Sequence, residues 1–74
     1  MGPPLVAATR DALHRLDPAT YAPPLRNAVA LRCLRLGRSA FAEASRATAN
    51  ATAESALARA RAWMREYQRW HPLI

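Results

Sequence analysis

The sequence has no lysine, one cysteine, two glycines and no long apolar run, and these shortages exclude several classes of protein. The single cysteine, Cys33, excludes an intramolecular disulfide framework and any zinc site built from several cysteines. Charged residues interrupt every apolar stretch, so the sequence predicts no transmembrane helix. Arg10, Asp11 and Arg15 likewise break the apolar region that a secretory signal peptide needs.

Side chains suited to catalysis are also scarce. His14 and His71 lie near opposite ends of the chain, and Gly2 and Gly37 do not form a glycine-rich phosphate loop. Cys33 lies on the apolar side of its segment, where a buried structural thiol is expected. We therefore predict no enzyme activity, no metal, no cofactor and no small-molecule substrate.

What the chain does have is alanine and arginine. Of its 74 residues, 51% are hydrophobic, but eighteen of these are alanines, which bury little surface each. A chain of this size has a marginal core without disulfides, metal or a partner. The composition favours a single small all-α domain, spanning the whole chain, with little independent core.

Prolines divide the first third of this domain. Apolar residues from Leu5 to Leu16 recur at helical spacing and predict a short helix over about residues 4–16. Residues 17–24 contain the pair Pro23–Pro24, which favours extended polyproline geometry. We expect this connector to act as a stiff strap.

The second segment predicts a basic amphipathic helix over about residues 25–48. Its apolar half includes Leu34, Gly37 and Phe41. Gly37 lowers helix stability by about 1 kcal/mol relative to alanine, and close approach of another helix would explain it. The opposite half carries four arginines that form a candidate basic interface: Arg32, Arg35, Arg38 and Arg46.

The third segment predicts a helix over about residues 53–70 with one apolar stripe, while Glu66 and Arg69 lie off that stripe. As one straight helix, the second and third segments would point their apolar faces in opposite directions. We favour a helical hairpin broken at residues 48–52 over one long helix, with Asn and Thr as the capping residues. The candidate apolar interface comprises Leu34, Gly37, Phe41, Leu57, Trp63, Met64, Tyr67 and Trp70.

The net positive charge lies in the last two segments. Residues 25–74 carry nine arginines against Glu43, Glu54 and Glu66, which accounts for the whole net charge of +6. Arginine pairs well with carboxylates and phosphates. The expected partners are larger protein subunits that present carboxylates, with RNA and anionic lipid headgroups as alternatives.

Residues 34–41, Leu-Arg-Leu-Gly-Arg-Ser-Ala-Phe, followed by Arg46, resemble the opening of LYR-motif proteins. Leu36 and Arg38 match the first and third motif positions, and Gly37 stands where that family has tyrosine. Residues 25–46 are also similar to the small epsilon subunit of mitochondrial ATP synthase, without its aromatic positions.

Both resemblances imply a small, arginine-rich helical subunit of a mitochondrial energy complex, in the matrix or at the inner membrane. The leading hypothesis is a non-catalytic accessory subunit of a respiratory complex or ATP synthase. The alternative is a ribosomal or other RNA-associated protein that binds phosphates through its arginine-rich helix face.

Overall fold

The computed structural model describes residues 9–71 and is all-helical over that range. Helix α1 spans Arg10–His14, a single 3₁₀ turn spans Pro18–Thr20, α2 spans Pro23–Arg46 and α3 spans Asn50–Trp70. The two long helices form a hairpin, and α1 packs against α3. The all-α class and the helical hairpin are confirmed, and the alternative of one long helix is wrong.

Helix α1 is shorter than predicted. The hydroxyl of Thr9 caps its N-terminus by accepting a hydrogen bond from the Ala12 backbone N–H at 3.2 Å. The helix ends at His14 instead of Leu16 because the chain turns there to reach the 3₁₀ segment. Residues 4–8 of the predicted helix lie outside the described residues.

The connector is not a polyproline strap throughout. Asp17 caps the 3₁₀ turn by accepting a hydrogen bond from the Ala19 N–H at 3.0 Å. Pro23 and Pro24 form the first turn of α2, with Ala22 as the N-cap. A proline fits that position because its fixed φ is helical and its missing N–H would have no intrahelical partner. The prediction of an extended pair was therefore wrong.

The hairpin turn consists of residues 47–49, at the start of the predicted break. Ala47 and Ala49 have extended backbone, which is enough to reverse the chain without glycine or proline. Ala49 is the N-cap of α3 and provides no side-chain hydrogen bond. The helix therefore begins at Asn50, three residues earlier than predicted, and the expected capping by Asn and Thr side chains is wrong.

The predicted apolar stripe of α3 is the face that meets α2. Every member of that stripe is buried or half-buried: Ala53, Ala56, Leu57, Ala60, Trp63, Met64, Tyr67 and Trp70. The largest side chains lie where the N-terminal half of α2 meets the C-terminal half of α3, which we call the open end. There Leu13, Val29, Ala30, Cys33 and Trp70 form one buried cluster.

Small residues line the other half of the interface, the turn end. Its buried members are Gly37, Ala40, Ala56 and Ala60. A Cβ atom added at Gly37 would lie 2.8 Å from Met64 Sδ and 3.5 Å from the Ala60 carbonyl oxygen. The close helix approach expected at Gly37 is thus confirmed, with α3 as the neighbouring helix.

Candidate functional site

The outward face of α2 carries an unbroken exposed stripe. Its residues recur every three or four positions, so they lie on one side of the helix, away from α3. We call this the α2 outer stripe: Ala28, Leu31, Arg35, Arg38, Ala42 and Arg46, all of them exposed. Three of the four predicted basic interface residues belong to it.

Leu31 is the apolar centre of this stripe and was absent from the predicted interface. Its side chain is 46% exposed, the most exposed of the large hydrophobic residues within residues 9–71. It lies in a shallow groove of about 480 Å³ that Ala28, Arg32, Arg35 and Leu36 also line. The sequence signal was the spacing of residues 28, 31, 35, 38, 42 and 46, which places a leucine among the arginines.

Arg32 differs from the other predicted basic residues. It is half-buried, and its guanidinium carbon lies 5.3 Å from the centre of the Trp63 ring. This cation–π contact joins α2 to α3 and holds Arg32 at the edge of the groove. The prediction that Arg32 shares an open basic face with Arg35 and Arg38 needs correction, because an aromatic ring of α3 covers it.

The predicted apolar interface residues divide into three groups. Gly37 and Trp70 are buried inside the protein, so they serve its own fold and are closed to an outside partner. Phe41 is 41% exposed on the flank of α2. The remaining members are half-buried at the edges of the helix interface: Leu34, Leu57, Trp63, Met64 and Tyr67.

A polar joint fastens α1 to α3. The Glu66 carboxylate is buried, with 2% of the residue exposed. One of its oxygens lies 2.7 Å from His14 Nδ1, and the other accepts hydrogen bonds from Arg69 and from the Trp70 indole at 3.4 Å. Arg69 also donates to the Leu16 carbonyl oxygen at 2.7 Å, so it binds the backbone that follows α1.

The buried Glu66 is the main feature that sequence reasoning missed. The sequence predicts it off the apolar stripe and therefore at the surface, yet α1 covers that side of α3. His14 and Glu66 are 52 positions apart. No local spacing pattern connects residues so distant. The one hint in the sequence was Arg69, three positions after Glu66, because a Glu–Arg pair at that spacing stabilises a helix.

An open cleft of about 370 Å³ lies between α1 and α3, beside this joint. Helix α1 and its end contribute Arg10, Asp11, His14 and Arg15. Helix α3 contributes Ala62, Arg65 and Glu66. The lining is therefore strongly charged, in contrast to the groove around Leu31.

Cys33 is fully buried, as predicted. Burial, together with a smaller contribution from the nearby Glu66 carboxylate, raises the pKa of its thiol from 9.0 to about 11. The thiol is thus protonated and unreactive near neutral pH. In the part of the chain that the structure describes, no three His, Cys, Asp or Glu side chains form a metal-binding group.

No helix within residues 9–71 is long and apolar enough to span a membrane. Comparison with known proteins adds no family: the chain matches no family model, no curated protein and no solved structure at a significant level.

Proposed function

We propose that the chain is a non-catalytic subunit of a larger protein assembly and that it attaches through the α2 outer stripe. The observation that carries the proposal is the position of Leu31, an exposed leucine in an apolar groove between arginines. Interfaces commonly combine a central apolar anchor with charged residues around it. Leu31 supplies the anchor, and Arg35 and Arg38 supply the charge.

The proposed partner is an acidic protein surface that inserts an apolar side chain beside Leu31. Arg35, Arg38 and Arg46 carry no salt bridge to an Asp or Glu among residues 9–71, so each is available to a partner's carboxylate. RNA would use the same arginines for its phosphates. It would gain little from the aliphatic lining of the groove, which favours protein over RNA.

The cellular setting is part of the proposal and rests on sequence resemblance alone. The likeness of residues 34–41 to LYR-motif proteins suggests a respiratory complex or ATP synthase in mitochondria as the assembly. Attachment to such an assembly would also compensate for the alanine-rich turn end. A partner that binds only the folded state stabilises it by mass action.

The test compares two aspartate substitutions, each in a tagged full-length chain expressed in the source organism. Leu31→Asp places a negative charge in the α2 groove. Ala58→Asp is the matched control, because Ala58 is exposed on α3. Circular dichroism of both purified variants first establishes that each remains helical. Native size separation of the cell extract then reports whether the chain migrates with a large complex.

We expect the wild type and Ala58→Asp to migrate in the complex and Leu31→Asp to be released. Retention of Leu31→Asp in the complex would contradict the proposal. Treatment of the extract with ribonuclease distinguishes the alternative. If ribonuclease releases the wild-type chain, the partner is RNA and the protein-docking role is wrong.

A further inference from the structure

The charges that line the cleft between α1 and α3 are not balanced. Glu66 already forms a salt bridge with Arg69, and Asp11 lies 3.8 Å from Arg10. Both acidic groups of the cleft therefore have cationic partners. Arg15 and Arg65 remain, and neither makes a salt bridge within residues 9–71.

The two unpaired arginines come from different elements. Arg15 is the C-cap residue of α1, and Arg65 lies on α3, so the cleft has an arginine on each wall. The polar joint holds the walls together, because Glu66 binds His14 of α1 and Arg69 donates to the Leu16 carbonyl oxygen just after that helix. A ligand would thus meet two cations on walls that are already held in position, which lowers the entropic cost of binding.

We propose that this cleft binds a phosphate monoester, with Arg15 and Arg65 clamping the dianionic phosphate from both sides. Guanidinium groups form paired hydrogen bonds with phosphate oxygens, and two of them match the two charges of a monoester. The volume of about 370 Å³ suits a phosphate with a small organic group. His14, held through Nδ1 by Glu66, also lines the cleft.

The same phosphate chemistry has two sources, a soluble metabolite and the headgroup of phosphatidic acid. The probes are therefore glycerol 3-phosphate in solution and phosphatidylcholine vesicles with and without phosphatidic acid. At a pH of about 7.5, a monoester carries nearly two charges because its second pKa is about 6. Backbone amide chemical shifts report soluble binding, and co-sedimentation reports vesicle binding.

The variants are Arg15→Gln/Arg65→Gln, with Arg61→Gln as the control for generic charge. Arg61 is exposed on α3 and does not line the cleft. All three substituted arginines are exposed, so circular dichroism is expected to match that of the wild type. Leu31→Asp serves as a second control, because this site is independent of docking through α2.

We expect saturable shifts around the cleft with a dissociation constant near or below about 1 mM. The double variant is expected to weaken binding by about tenfold or more, while Arg61→Gln and Leu31→Asp bind as the wild type does. Binding to phosphatidic acid vesicles alone, with the same dependence on Arg15 and Arg65, would assign the lipid as the source. Equal weakening by Arg61→Gln, or no binding to either probe, would overturn the proposal.

Discussion

The open end and the turn end of the hairpin use different side chains to hold the same two helices together. At the open end, Trp70, Leu13 and Val29 are completely buried, and Tyr21 lies against Trp70 with ring centres 5.7 Å apart. At the turn end, alanines and Gly37 let the helices approach closely but bury little side-chain surface. Burial of apolar area scales with stabilisation, so the open end contributes most of it.

This difference shows that the stability of the protein is concentrated at one end of the hairpin. Helix α1 adds Leu13 and the polar joint to the open end. The turn end instead has an exposed ion pair between Glu43 and Arg59, at 2.8 Å. Local opening is expected to begin at the turn end, because regions with little buried apolar surface open at low free energy.

The largest expected effect is that of Trp70→Ala, which removes the largest fully buried side chain. The free energy of unfolding should fall by about 3–5 kcal/mol, through lost burial and the remaining cavity. Urea denaturation followed by circular dichroism measures it. The matched turn-end variant, Ala56→Gly, should cost only about 1 kcal/mol. Equal costs at the two ends would show that the contrast between them is wrong.

Glu66→Gln tests the polar joint. The substitution keeps the shape of the side chain but removes the negative charge that Arg69 and His14 share. We expect a loss of about 2 kcal/mol, the typical value for hydrogen bonds to a buried charged group. Glu54→Gln, at an exposed position on α3, is the control and should change stability by less than about 0.5 kcal/mol. Identical melting curves for the two variants would refute a stabilising role for the joint.

The buried Cys33 thiol makes the free energy of unfolding depend on pH. The pKa of the Cys33 thiol is about 11 in the folded protein, compared with an ordinary value of 9.0. The unfolded chain therefore loses this proton at lower pH than the folded chain does. Stability from this source is fully present below pH 9.0 and is lost as pH rises toward about 11, by on the order of 2 kcal/mol. Unfolding at a series of pH values measures it, with Cys33→Ala as the control that should lack this component.

The smallest expected effect is at the turn end. Glu43→Gln breaks the ion pair with Arg59, but both side chains are about half exposed. Exposed pairs contribute little, so the free energy of unfolding should change by less than about 0.5 kcal/mol at moderate salt. A loss above about 1.5 kcal/mol, which is three times the expected limit, would mean that the turn end depends on this ion pair.

The interface face of α3 could be predicted from the sequence because its physical cause is local. Large side chains and alanines recur at the helical spacing from Ala53 to Trp70, and a helix with that pattern must cover its apolar side. The partner surface on α2 followed only in part, because Gly37 is buried there while Phe41 of the predicted apolar side is 41% exposed. In one straight helix the two apolar faces would point in opposite directions, so a reversal of the chain between them was also predictable.

Other features depend on tertiary packing and could not be read from local spacing. Pro23–Pro24 suits both an extended strap and a first helical turn, and only the placement of α2 decides between them. Glu66 is buried because α1 folds back over it from 52 positions away. The position of Leu31 among the arginines was visible in the sequence, but its exposure depends on which side of α2 is covered by α3.

The polar joint also sets a delay during synthesis of the chain. Arg69 binds the carbonyl oxygen of Leu16, which leaves the ribosome's catalytic centre 53 residues earlier. At roughly 5–20 residues per second, that interval is about 3–10 s. Helix α1 therefore waits for its binding site until α3 is almost fully translated, while the turn end of the hairpin joins residues closer along the chain, such as Glu43 and Arg59. Leu13, which the finished fold buries, has no Trp70 to pack against until that interval ends.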